Sequence, residues 1–431
     1  MQTRFDALIV GAGPAGASAA ILLAGAGWSV GLVEKQAFPR RKVCGECIAA
    51  SNLPLLHALG IGAEFMARAG PELRRVALMR GARSVVADLP PAPASAHPWG
   101  RALGRETLDS LLLERARAVG VVLLQPWAVQ KISGPVGAHR CTVRETPSDR
   151  LMVLQAPVLI LAHGSWEPLP EARARQRPAR SASDMLAFKA NFQGGALAPG
   201  LLPVLAFPGG YGGMVLADQG LVTLACCIRV DRLDALRRAA PGLSAGDVVE
   251  AMLQRECRGV AEALQGASRS GPWLASGPLA PGLRLQVDDG LFRIGNAAGE
   301  AHPIIGEGMS MALQSAWLLC DLLVQARREH GSDATAAWQQ ALQLRYDAQW
   351  RRHFVPRLRL AAALAHVAMR PAASAALMAL LSRFPALLTR GAAWAGKVRC
   401  APDAAAVAAL SVDARADHAV QRKPATLAQG S

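Results

Sequence analysis

Aromatic side chains are scarce in this chain, 5% of 431 residues with only two tyrosines, so any aromatic at a site is a rare resource. Acidic residues are also in deficit: 32 Asp and Glu face 47 Lys and Arg, giving a formal net charge of +15. The excess is arginine dispersed through alanine-rich sequence. There is no basic block interleaved with aromatics, which argues against a nucleic-acid partner. The N-terminus lacks the basic region and cleavage site of a signal peptide. The eight cysteines therefore read as thiols, not a disulfide framework, and the chain reads as cytoplasmic. Residues 7–33 are apolar enough to suggest a membrane span, but glycines, Pro14 and a turn interrupt them.

The most informative segment is at the N-terminus, where residues 6–34 read DALIVGAGPAGASAAILLAGAGWSVGLVE. A short apolar run stops at Gly11, Gly13 and Gly16, a helical Ala/Leu stretch follows, and a second apolar run ends in Glu34. That is strand, tight turn, helix and strand, the setting of a dinucleotide fingerprint. Gly11 permits the turn, Gly13 admits a pyrophosphate to the backbone, and Gly16 lets the helix pack on the strand. Pro14 and Ala15 open the helix, whose free amides suit the anion. Glu34, followed by Lys35, suits an adenosine ribose and would repel a 2′-phosphate, so FAD or NAD is expected instead of NADP.

Further along, 51–69 and 105–119 carry helical patterns, and strand candidates fall at 73–80, 84–89, 121–124 and 157–162. The stretch 166–183 reads as a loop. Strand-like runs dominate 185–229, interrupted by Pro208-Gly-Gly-Tyr-Gly-Gly213, which is too glycine-rich for a regular element. Helical sequence returns at 244–264, a strand at 291–294, and a helix near Gly308. These runs predict a FAD-binding lobe over 1–72, 99–165 and 280–332, discontinuous in sequence. A β-rich substrate domain takes 73–98 and 166–279, a helical region 333–400, and a disordered tail 401–431.

In the helical region Trp338, Leu342, Tyr346, Trp350, Phe354 and Leu358 recur every four residues, with Pro356 expected to break or kink the helix. Ten basic residues stand against two acidic ones between 333 and 400. Such a region either lies on an anionic membrane as a peripheral contact or packs on the body with a solvated basic face.

Three motifs together resemble the FAD-dependent p-hydroxybenzoate hydroxylase superfamily, with the closest likeness to geranylgeranyl reductase-like flavoproteins. The first is GAGPAG at 11–16 with Glu34. The second is Arg105-Glu-Thr-Leu-Asp109, resembling a helix start whose Arg reaches FAD. The third is Gly295-Asn-Ala-Ala-Gly-Glu-Ala-His-Pro-Ile-Ile-Gly-Glu-Gly-Met309, where the resemblance gives Asn296 a ribityl contact and Pro303, Gly306, Gly308 and Met309 the pyrimidine end of the isoalloxazine. Asn296 stands where the family usually has Asp, and His163 replaces the acidic residue of a central A-D-G motif. His163 is a structural turn residue or a contact for the reductant.

Cys44-Gly-Glu-Cys47 resembles the family's C-G-(D/E) segment near the flavin. A redox dithiol, half a zinc site without a second matching pair, and a structural thiol remain open for it. Arg41 and Lys42 are candidates for FAD phosphates, and Tyr211, in the segment that roofs the family's substrate cavity, for substrate contact. The resemblance implies an α/β, Rossmann-like FAD lobe with an inserted antiparallel sheet and a helical C-terminal flank. It implies NAD(P)H- and oxygen-dependent hydroxylation of a hydrophobic phenolic, polyketide or quinone-like molecule. The alternatives are reduction of isoprenoid double bonds and a non-catalytic flavin-binding partner protein. Halogenation is disfavoured by the absence of a W-x-W-x-I-P motif.

Overall fold

The computed structural model describes residues 2–93, 96–164, 181–286, 289–331 and 336–410. Its first layer is a five-stranded sheet. In chain order its elements are β1 (Ala7–Val10), α1 (Pro14–Gly25), β2 (Val30–Val33), α2 (Arg105–Ala118), β3 (Val122–Leu124), β4 (Val158–Leu161) and β5 (Phe292–Arg293), followed by helix α3 (Gly308–His330). The strand order is β5-β4-β1-β2-β3, every pair parallel.

β1, β2 and β4 are buried at every position, as a sheet covered on both faces requires. Ala7, Ile9, Val158 and Ile160 face the helices, while the alternate residues Leu8, Val10, Leu159 and Leu161 face a second core. That second core lies under a four-stranded sheet of residues 2–4, 127–133, 139–145 and 151–156. In the strand His139-Arg-Cys-Thr-Val-Arg-Glu145 buried residues alternate with more exposed polar ones, and the apolar-run reading passed over this sheet.

The other lobe is built on a larger sheet. Its main strands are Arg75–Arg80, Arg83–Asp88, Met185–Gln193, Leu201–Phe207, Gly210–Leu216 and Val222–Arg229, antiparallel except where 201–205 pairs in parallel with 75–79. One face packs on helices within 230–263, and the other on the C-terminal helices. The segment around Tyr211 is strand, not the irregular turn expected. Its glycines serve close packing: a Cβ on Gly210 would lie 2.5 Å from the Cys227 carbonyl oxygen, and one on Gly212 2.7 Å from that of Ala225.

Helix α4 (Ala336–Met369) runs unbroken through Pro356, so the expected break does not occur. Trp350 and Phe354 before the proline and Arg357 and Ala361 after it are all buried, and that packing outweighs the one lost hydrogen bond. The break comes at Pro371, where α5 (Pro371–Arg383) leaves at 104°. α4 buries Trp350 and Phe354 in the first lobe and Ala365 and Ala368 against the large sheet, so it ties the lobes together.

The loop expected at 166–183 lies mostly outside the described residues, as does the tail beyond 410. Residues 401–410 are ordered, contrary to expectation: Asp403 caps a short helix Ala404–Ala409 and Leu410 is buried. α3 is the one described helix long and apolar enough to cross a membrane, and 89% of that stretch is buried inside the protein.

Candidate flavin site

The glycine turn is sterically obligatory. Gly11 sits at φ +102°, and a Cβ there would lie 2.6 Å from the Ala162 carbonyl oxygen and 2.9 Å from His163 Cα. A Cβ on Gly16 would lie 1.8 Å from the Gly11 carbonyl oxygen. Gly13 differs: a Cβ on it would meet only Arg105 Nη2, at 3.8 Å. The backbone is therefore open to a ligand there, with a guanidinium facing it. No side chain caps α1 at Gly13, so its first-turn amides remain available to an anion.

Arg105 is held in place by its own helix. Its Nε and Nη2 donate to the two oxygens of Asp109, each at 2.7 Å, and both side chains are buried. The Cys44 thiol lies close enough to Arg105 to act on it electrostatically. Lys42 joins this group. Burial, then the repulsion of Arg105 and Arg40, lowers its ammonium to about 8. Arg41 points elsewhere, donating to the Ser270 carbonyl at 2.9 Å and pairing with Glu106 at 3.4 Å on the surface. The loop thus turns Lys42 inward and Arg41 outward, a choice that residue type could not reveal.

Glu34 is buried, accepting from Ala12 N–H at 2.9 Å and from Gln36 N–H at 3.0 Å. Its carboxylate braces the glycine turn. His163 follows β4 at the sheet's C-terminal edge, its imidazole lowered to about 4 by burial and by Arg293, Arg284 and the neighbouring Lys35. His163 is neutral at pH 7, and its buried Nδ1 has no partner. It cannot copy an acid's charge, but it can exchange a hydrogen bond.

The third motif closes the site. Gly295, at φ +58°, packs so tightly on Ala15 that a Cβ would lie 3.0 Å from the alanine methyl. Asn296 follows on a single turn, and its carbonyl accepts from Arg284 at 2.7 Å. Pro303–Ile305 form another turn ending at Gly306, φ +63°, and α3 begins at Gly308, where a Cβ would meet nothing within 4 Å. Met309 is buried behind it. An uncapped helix start beside open space suits the flavin ring edge on which negative charge gathers. The orphaned His163 Nδ1, the open Gly13 and Gly308 faces and the cations around Gly13 fit FAD.

Sequence reasoning missed two further groups. Glu307, immediately before α3, is fully buried, its carboxyl raised by burial and countered by Arg357 at 3.2 Å and Lys397 at 3.7 Å. Glu46 accepts from the buried Lys189 ammonium, from Thr223 Oγ1 at 2.6 Å and from Arg105 N–H at 2.9 Å, fastening the Cys44 loop to the large sheet. Only the three-dimensional pairing exposes these roles.

Tyr211 is buried in the large sheet, its hydroxyl 3.0 Å from His302 Nδ1 and hydrogen-bonded to the Cys227 thiol. Burial raises the phenol and lowers the imidazole, so both are neutral near pH 7. Cys47 is buried on a short strand opposite Ala102, and burial raises its thiol. The two loop cysteines therefore stand in different settings, with no disulfide between them.

Residues 4–193 match the family described as FAD binding domain. Two relatives are conditioned medium factor receptor 1 of Dictyostelium discoideum and menaquinone reductase of Mycobacterium tuberculosis. The first is 25% identical over 76% of this chain and 65% of its own length; the second is 28% identical over 40% of each. The chain thus spans less than two thirds of either. Among solved structures, the myxobacterial chondrochloren halogenase CndH aligns with a TM-score of 0.73 at 17% identity, covering 96% of this chain and 97% of its own. PqsL of Pseudomonas aeruginosa, a probable FAD-dependent monooxygenase, aligns with a TM-score of 0.67 at 21% identity, covering 87% and 99%. These likenesses are of fold.

The match to an FAD binding domain covers residues 4–193, under half of the chain, and the solved structures share its fold. The matched residues contain the glycine turn, Glu34, Lys42 and Arg105, the groups that would hold FAD.

Proposed function

We propose that this enzyme is an NAD(P)H-dependent flavin monooxygenase that hydroxylates a hydrophobic phenolic, polyketide or quinone-like molecule. The observation that carries this reading is the convergence of three distant segments on one cleft: Gly13 faces Arg105, Gly11 abuts His163, and Gly295 abuts Ala15. When bound, FAD supplies the two-electron chemistry with pyridine nucleotide and oxygen.

The chain's own residues supply the rest. Arg105, locked by Asp109, and Lys42 hold the pyrophosphate; Glu34 takes the ribose; the α3 amides at Gly308 stabilise negative charge at the ring edge. Tyr211 and His302, a neutral pair hydrogen-bonded at 3.0 Å, are suited to orienting a substrate hydroxyl. His302 is the more exposed of the two.

The test is an anaerobic NADPH titration of the holoenzyme, following the visible flavin bands with and without a phenolic lipid. Bleaching that the phenol accelerates is expected. Bleaching by dithionite alone would defeat the reading. A second reading, reduction of isoprenoid double bonds, draws on the 28% identity to menaquinone reductase and on Cys44 beside Arg105. Faster flavin reoxidation by an isoprenoid quinone in the absence of oxygen would favour it. A flavin that no donor reduces at a useful rate would instead indicate a non-catalytic flavin-binding protein.

A further inference from the structure

The C-terminal helices leave one surface unlike the rest of the molecule. Among the exposed large apolar residues, Leu380 (47% exposed), Phe384 (52%), Leu387 (37%) and Trp394 (69%) fall within fifteen positions of one another. Leu380 lies on α5, Phe384 at the bend that ends it, Leu387 on the following helix Ala386–Ala392 and Trp394 in the turn beyond. Phe384 N–H donates to the Leu380 carbonyl at 2.9 Å and Leu387 N–H to the Phe384 carbonyl at 3.1 Å, which fastens the bend at Phe384 to the helices on either side. All six residues from Ser382 to Leu387 are exposed.

The opposite side of this segment is fastened to the protein. Leu388 and Ala392 pack on the large-sheet cores, and Thr389 Oγ1 donates to the Asp88 carbonyl at 2.7 Å. Beyond Trp394, Gly396 accepts from Ser51 Oγ at 3.2 Å, and the Arg399 carbonyl accepts from Arg357 at 3.3 Å. A fixed platform carrying exposed Trp and Phe is costly in water, and its fixed state removes the ordering cost of binding.

Charge identifies what covers it. Residues 348–402 contain no Asp or Glu and nine Arg or Lys. Arg351 is paired with Asp347, and Arg357 and Lys397 with Glu307, so those charges are spent internally. Arg383 and Arg390 are exposed beside the apolar face, Arg383 lying 5.4 Å over the Phe384 ring. Two copies meeting here would bring like charges together. An anionic bilayer instead offers acyl chains to the apolar face and phosphates to the arginines.

We infer that Leu380, Phe384, Leu387 and Trp394, rimmed by Arg383 and Arg390, form a docking surface for an anionic lipid bilayer. The protein sits on the membrane through this tip, without a spanning segment from this region. The turn that carries Trp394 continues into Lys397, which borders a small recess lined by Cys47, Leu73, Leu89, Trp99 and Leu202. A hydrophobic molecule in the bilayer is thereby brought close to the Cys44–Cys47 loop.

The test is flotation of the flavin-loaded full chain with phosphatidylcholine vesicles, with and without phosphatidylglycerol. Flotation is expected only with the anionic vesicles. F384S/W394S should lower it at least tenfold, and R383E/R390E by about fivefold for each arginine lost, with the flavin absorbance of both variants unchanged. Quenching of tryptophan by brominated lipid should fall in W394F. No flotation, or flotation unchanged in both double variants, would overturn the inference. So would self-association in sedimentation velocity that the same substitutions abolish, which would assign the surface to a second copy. Vesicle binding is read without turnover, so it stands apart from the proposed activity.

Discussion

Arg357 donates to Glu307 at 3.2 Å from a different helix, joining the middle of α4 to the residue immediately before α3. Neither side chain is accessible to water in any useful degree, and Arg357 also donates to Gln314 at 3.1 Å. The flavin-side helix start is thereby clamped by the C-terminal region.

Breaking that pair on one side should be worse than removing it entirely. Arg357→Met leaves a buried carboxylate with Lys397 alone at 3.7 Å, and a loss of about 3–5 kcal/mol is expected in denaturant unfolding. The double variant R357M/E307Q should recover most of that loss. Equal damage from both variants would mean that the arginine acts by packing alone.

Gly16→Ala should abolish flavin binding or folding, because the added methyl would stand 1.8 Å from the Gly11 carbonyl oxygen. Gly308→Ala is the matched control. Its methyl meets no protein atom within 4 Å, so the fold should survive and any change should appear in flavin affinity or spectrum. Thermal melts and bound-flavin absorbance distinguish the two.

Lys42 gives FAD binding a pH dependence with a definite sign. Its free ammonium loses its proton as pH rises through about 8, whereas a bound pyrophosphate favours the charged form. Binding should therefore take up a proton near pH 8 and weaken above it. Calorimetry in buffers of different ionisation enthalpy measures the uptake, and Lys42→Met should remove it.

His163 gives the fold an acid-side dependence. The unfolded chain protonates this imidazole near 6.5 and the folded chain only near 4, so between those values the unfolded state binds more protons. Stability should fall as pH drops through that window. His163→Gln should flatten this part of the profile in urea titrations. An unchanged slope would place the dependence on the other buried histidines, His139 and His302, which burial also lowers.

Much of the flavin cleft was legible because its glycines and helix start follow from local backbone needs. Gly11, Gly16 and Gly306 occupy positions that local chain geometry alone demands. The Cys44 loop was less readable. Whether Arg41 or Lys42 turns inward depends on Glu106 and Ser270, which are distant in sequence. Pro356 misled because helix propensity is local, while the packing of Trp350 and Phe354 that overrides it is not. Tyr211 misled for a related reason: a glycine-rich run reads as a turn unless the crowding by Phe207, Ala225 and Cys227 is known.

The parallel sheet places β5, from residues 292–293, on its edge beside β4, and the helix that completes the cleft starts at Gly308. During synthesis, therefore, the glycine turn and Arg105 emerge long before the residues that enclose the ring end of the cofactor. The nucleotide half of the grip can form early, but full retention waits until Gly308 and the helix it opens have left the ribosome. Premature termination ahead of Gly308 should therefore leave chains that release the cofactor readily.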